Sequence, residues 1–197
     1  MATFAPVMTL PQPHRLLCAV VLLVLSRGTH AAAQAPDHRQ PQQLAEDRRV
    51  AEHMLPCQRD TGGWPRNTGM KRPLSPDERT QILRDKQRRD DSTTDNGATT
   101  GQMTFQARVY RQTNHVRYRQ AFLRGMAYLL SGQYANGGWP QCWPEKKGYR
   151  GQITFNDDAM VNTLRLLRHV NGQRPPFQGN LTDRKLSFRS ARLSTGA

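Results

Sequence analysis

The sequence predicts an all-α chain whose short helices pair as antiparallel hairpins around part of a ring. Three observations carry this reading. Apolar residues recur at helical spacing in successive segments. No segment shows sustained strand alternation. A Gly-Gly-Trp-Pro loop occurs twice, each time after a helical stripe. At 197 residues the chain is the size of one domain, and 36% hydrophobic residues is a thin supply for a core.

The first element is an address. Arg15 precedes an apolar run over residues 16–25, and Ala31-Ala32-Ala33 follows. Ten apolar residues are too few for a hydrocarbon layer of ~30 Å. Basic start, short apolar centre and small-residue exit predict a secretory signal at 1–33, cut near Ala33. Residues 34–43 read as a polar linker, and the helical domain is expected over residues 44–177. Ser75-Pro76-Asp77-Glu78 is a capping box with proline at the first helical position, predicting a helix to about Arg88. Met103, Ala107 and Tyr110 place a helix from near Ala98. Val116, Phe122, Met126, Leu129 and Leu130 form the next stripe, closed by Gly132. Met160, Leu164 and Leu167 form the last, between Asn156-Asp157-Asp158 and Gly172.

The repeat joins Gln58, Gly62, Gly63, Trp64 and Pro65 to Gln133, Gly137, Gly138, Trp139 and Pro140, 75 residues on. A second echo links Asp95-Asn96-Gly97-Ala98 with Asn156-Asp157-Asp158-Ala159, each directly before a helix. A helix pair that repeats with its loop suggests hairpins around a ring. Each Trp either covers a hairpin end or offers a flat face to a sugar.

Charge narrows the partners. The chain has 29 basic and 15 acidic residues, and removing 1–33 leaves a charge of +12. Such a field favours acidic partners. Export and the lack of an aromatic-and-basic module argue against nucleic acid, which leaves an acidic glycan. The carboxylates of Asp95, Asp157 and Asp158 stand before helices, where they serve either as caps or as oxygen ligands converging on a hard cation such as Ca²⁺. Lys146-Lys147-Gly148-Tyr149-Arg150 is either a solvated loop or a patch for sugar carboxylates. Cys57 and Cys142, the two cysteines left after export, allow one disulfide without establishing it.

Several long motifs stand in one order: Gln58, Gly62-Gly63-Trp64-Pro65-Arg66-Asn67, Thr94-Asp95-Asn96-Gly97-Ala98-Thr99-Thr100, Tyr118-Arg119-Gln120-Ala121-Phe122-Leu123-Arg124-Gly125, Gly137-Gly138-Trp139-Pro140-Gln141, and Thr154-Phe155-Asn156-Asp157-Asp158-Ala159. From about Ala51 to Val170 the chain resembles the pectate lyases of polysaccharide lyase family ten. The resemblance implies an incomplete α/α toroid with a groove for polygalacturonate, and Ca²⁺-dependent β-elimination. It implies that Asp95 and Asp157 serve substrate and Ca²⁺ binding, with Asp158 a further metal candidate. Asn96, Trp139, Lys147 and Tyr149 are the substrate-binding candidates. The protein is expected to be a monomer, secreted or periplasmic, with no membrane contact after signal cleavage.

The resemblance fades after residue 170. The family's base arginine belongs to a later half of the toroid, so no base is assigned here, and no motif supports Arg150 in that role. Residues 178–197 read as a disordered, non-family tail, and the chain as a truncated, inactive fragment. Two other readings stand beside this one. A non-catalytic glycan-binding module would keep the groove without the base. The Gln-x-x-x-Gly-x-Trp spacing also resembles the Trp repeats of triterpene cyclases, whose other motifs are missing.

Overall fold

The structure is a computed structural model that describes residues 39–153, 155–179 and 181; the predicted signal segment lies outside them. Five α-helices follow in order: α1 (Arg39–Cys57), α2 (Pro76–Arg84), α3 (Thr100–Thr113), α4 (Val116–Gly132) and α5 (Ala159–Asn171). Among the described residues only isolated β-bridges occur, and no helix is long and apolar enough to cross a membrane.

Helix α1 corrects the expected linker, because it is already helical from Arg39. Its residues 41–43 are polar and exposed, so the start looks like linker in the sequence. The later turns bury Val50, Ala51 and Met54. Helix α2 starts as predicted: Ser75 Oγ accepts the Glu78 amide at 3.2 Å and Glu78 Oε2 accepts the Ser75 amide at 2.8 Å. It ends at Arg84 and gives way to a 3₁₀ turn.

Helices α3 and α4 form an antiparallel hairpin with Asn114, at φ 52°, in the connection. Gly125 makes the close approach possible: a Cβ there would lie 2.6 Å from Met103 Cγ. Helix α3 starts at Thr100 rather than Ala98, because Thr99 at φ 60° holds the backbone out of the helix. Val116 is 53% exposed and does not join the apolar stripe of α4. In α5 the buried apolar face is Met160, Leu166, Leu167 and Val170, while Leu164 is 43% exposed. Spacings of three and four residues are both helical, and packing selected Thr163 over Leu164.

The repeated loops do the same work twice. Trp64 and Trp139 are buried, and each indole N–H donates to a carbonyl three residues before the end of the preceding helix. Trp64 Nε1 reaches Met54 O at 2.9 Å; Trp139 Nε1 reaches Leu129 O at 2.7 Å. The last four carbonyls of a helix lack intrahelical partners, so each Trp caps its own helix from inside the core. The glutamines match as well: Gln58 Nε2 donates to Gly62 O at 2.8 Å, and Gln133 Nε2 to Gly137 O at 2.9 Å. Gly62 and Gly137 take φ of 95° and 87°, a region open to glycine.

Gly132 is not the predicted residue beyond the helix. It ends α4, where a Cβ would stand 2.1 Å from the Trp143 ring. Packing also continues past residue 177. Gln178 accepts a bond from Arg111, and Leu181 is buried in the core beside Phe177. Of the tail expected from residue 178, residues 178, 179 and 181 are described, and 180 and 182–197 lie outside the described residues. Cys57 and Cys142 are both buried and unpaired, and burial pushes the Cys57 thiol up to about 11.

Candidate active site

The segment carrying Asp95 is strung between the two tryptophan loops. Thr93 N donates to Trp64 O at 3.1 Å, Thr94 N to Gln141 O at 3.0 Å, and Thr93 Oγ1 to Gln141 O at 2.8 Å. Bridges pair Pro65 with Ser92 and Thr93 with Cys142. The Asp95 amide then donates to Thr93 Oγ1 at 3.0 Å. A further bridge, Pro140 with Ile153, leads from the second loop toward Asp157.

Asp95 and Asp157 sit in two 3₁₀ turns, Asp95–Gly97 and Asn156–Asp158, that pack against each other. The turns share one backbone path: Thr94 and Phe155 have φ −102° and −98°, and Asn96 and Asp157 have φ 50° and 49°. Asn and Asp tolerate this left-handed region better than other side-chain-bearing residues. By this equivalence Asp157 stands where the first turn has Asn96, and Asp95 where the second has Asn156. The two carboxylates therefore meet from inequivalent positions of the repeat. Neither α3 nor α5 receives a side-chain cap, so these carboxylates are not spent on helix ends.

Asp95 is almost fully buried. Its Oδ2 forms an ion pair with Arg66, while its buried Oδ1 has no hydrogen-bond partner. Burying a carboxylate oxygen without a partner is costly. The Asp157 carboxyl is held above the ordinary aspartate range, by desolvation first and then by the hydrogen bond and like charge of Asp95; Arg66 opposes the shift. An unfilled acceptor beside a second carboxylate suits a hard divalent cation, which takes oxygen ligands. Asp95 and Asp157 would hold it. Asp158, at φ 55°, completes no three-residue ligand group among the described residues.

The other predicted residues fare differently. Asn96 is exposed on the rim of the Asp95 turn. Trp139 is 2% exposed and packs in the core, so no face is left for a sugar. Lys147 pairs with Asp90 at 3.3 Å and Glu145 at 3.8 Å, and Tyr149 is 67% exposed. Neither lines the cleft of about 270 Å³ beside Asp95. That cleft is lined by Arg59, Arg66, Arg88 and Arg150, together with Asp91 and Asp95. Arg59 grips Asp91 through Nη2 at 2.7 Å and is itself buried. Sequence reasoning missed Arg59 and Arg66 as site residues. The available signal was their position within the first tryptophan loop, which the Asp95 segment crosses.

The family profile of the pectic acid lyases matches residues 58–196. The chain belongs to the pectic acid lyase family. The match continues through residue 196, beyond the expected end of the family domain at 177. Among solved structures, the chain is similar to a family 10 polysaccharide lyase from Cellvibrio cellulosa, at 28% identity and a TM-score of 0.64; 78% of this chain and 46% of that one are covered. A mutant of that lyase, in complex with trigalacturonic acid, is similar at 27% identity and a TM-score of 0.64, with 78% of this chain and 47% of that one covered. No curated protein matches. The chain thus spans less than half the length of these lyases, and its hairpins form part of an α/α toroid.

Proposed function

We propose that this chain carries the calcium- and uronate-binding part of a pectate lyase, which cleaves polygalacturonate by β-elimination. The supporting observation is the meeting of Asp95 and Asp157 at adjacent turns, with Asp95 Oδ1 buried and unpartnered. Ca²⁺ bound there would act as a Lewis acid toward the uronate carboxylate, easing loss of the neighbouring C5 proton. Asp95 and Asp157 hold and orient that carboxylate's partner. Arg66, paired with the Asp95 carboxylate, offsets part of the cost of its burial. The relatives' trigalacturonic acid complex supports galacturonan as the ligand class.

Proton abstraction needs a base. Among the described residues lining the cleft there is no histidine; Arg59, Arg66 and Arg88 are committed to ion pairs, and no motif supports Arg150 as the base. The reading therefore has this chain bind galacturonan as a monomer without turning it over, after export to the periplasm or medium.

Calorimetry of the purified chain with trigalacturonate, with and without Ca²⁺, tests the site, and ultraviolet absorbance of unsaturated product on polygalacturonate tests turnover. Calcium-dependent binding without product is expected. Loss of calcium dependence refutes the site, and steady product formation refutes the assignment of the base elsewhere.

A further inference from the structure

Three of the four arginines around the cleft are occupied. Arg59 pairs with Asp91 and Asp85, Arg88 with Asp90 and Asp91, and Arg66 with Asp95. Arg150 differs. It is half-buried and lines the same cleft, yet its guanidinium has no hydrogen-bond or ion-pair partner among the described residues. Its backbone is nevertheless held firmly. The Arg150 carbonyl accepts the Gln141 amide at 2.9 Å and the Cys142 amide at 3.1 Å, and the residue sits in the 3₁₀ turn Gly148–Gly151. A fixed backbone with an uncommitted side chain is what a ligand-gripping residue requires. A second unfilled donor lies on the same cleft, because Arg59 Nη1 is buried and unpartnered.

We infer that Arg150 grips the carboxylate of a uronate unit neighbouring the one held at Asp95, and so makes the site select de-esterified galacturonan. The inference rests on the proposed function above and adds the residue that reads the second charge. Three of the four guanidinium groups around this cleft are already paired with carboxylates, so Arg150 supplies its uncommitted positive charge. Guanidinium is a planar fork of N–H donors that fits a carboxylate bidentately. A polyuronate brings one carboxylate per ring, so a chain anchored at Asp95 delivers another to a neighbouring cation. A methyl ester there has no charge and a poorer acceptor. Lys147, the sequence's choice within the same basic cluster, is already neutralised by Asp90 and Glu145.

The test is calorimetry on the full chain with Ca²⁺, using trigalacturonate and its fully methyl-esterified form. Wild type is compared with Arg150→Gln, Arg150→Lys and Asp95→Ala. Arg150→Gln breaks no side-chain bond among the described residues, so its thermal midpoint and its affinity for Ca²⁺ alone should match wild type. Its affinity for trigalacturonate should fall about tenfold to a hundredfold, the worth of a charge-assisted hydrogen bond, and its preference over the ester should shrink by the same factor, the remainder belonging to the calcium site. Arg150→Lys keeps the charge without the fork and should fall in between. Arg150→Gln binding within about twofold of wild type overturns the inference, as does an equal loss for acid and ester. If wild type binds no trigalacturonate, or Asp95→Ala binds it unchanged, the proposed function falls and this inference with it. If Asp95→Ala loses binding while Arg150→Gln keeps it, the role of Arg150 alone falls.

Discussion

Replacing Trp139 with phenylalanine separates a structural tryptophan from a sugar platform. Phenylalanine keeps a ring in the core and removes the indole donor. The Leu129 carbonyl, 2.7 Å from Nε1 and within the last turn of α4, then has lost its partner in a buried setting. An orphaned buried acceptor costs about 1–3 kcal/mol. The smaller ring leaves a void that adds ~1–2 kcal/mol, for a total of about 2–5 kcal/mol. Domains are stable by only about 5–15 kcal/mol, so the loss is a large share. With a urea m-value of about 1–3 kcal/mol/M, the unfolding midpoint should fall on the order of 1–2 M at unchanged slope. Circular dichroism in urea reads this directly. Trp64→Phe should behave alike, since it orphans Met54 O in the same way. A wild-type midpoint for Trp139→Phe, together with weakened trigalacturonate binding, would refute the capping argument and return Trp139 to the substrate.

Two further outcomes follow from the geometry. Asp157 binds its proton more tightly folded than unfolded, so without calcium its contribution to stability is present at low pH and lost as pH rises through the raised folded value. Calcium requires the ionised carboxylate; its affinity, read by calorimetry, should therefore weaken on acidification at a higher pH than an ordinary aspartate would dictate, and Asp157→Asn should abolish that dependence along with most binding. Gly132→Ala would normally favour a helix by about 0.5–1 kcal/mol. Here the new Cβ meets the Trp143 ring, which is stacked on Tyr128 at 3.8 Å and cannot swing aside, so a net loss of about 1–3 kcal/mol is expected in the same urea assay.

Local chemistry was legible where a residue's role depends on its near neighbours. The Ser75–Glu78 capping box names its own partners within one turn, and it formed as read. The repeat announced two equivalent loops, and the glutamine bonds bear that out. Leu164 was misread because a helix offers more than one apolar stripe, and only the neighbouring α3 decides which one is buried. Helix α1 was missed at its start because exposed polar residues carry no periodic signal. The role of Trp139 was open in the sequence, since a flat apolar ring suits a sugar as well as a core.

By itself the sequence determined that this chain builds helices joined by repeated tryptophan loops, and that acidic turns precede two of them. Periodicity, capping and backbone tolerance act over a few residues, so they are written locally. Only the tertiary structure decided that the Asp95 segment threads between the loops, that Asp157 then faces a buried and half-satisfied Asp95, and that Arg150 rather than Lys147 lines the cleft beside Asp95. Those outcomes depend on which distant groups share one low-dielectric space, and burial and charge pairing are properties of that space.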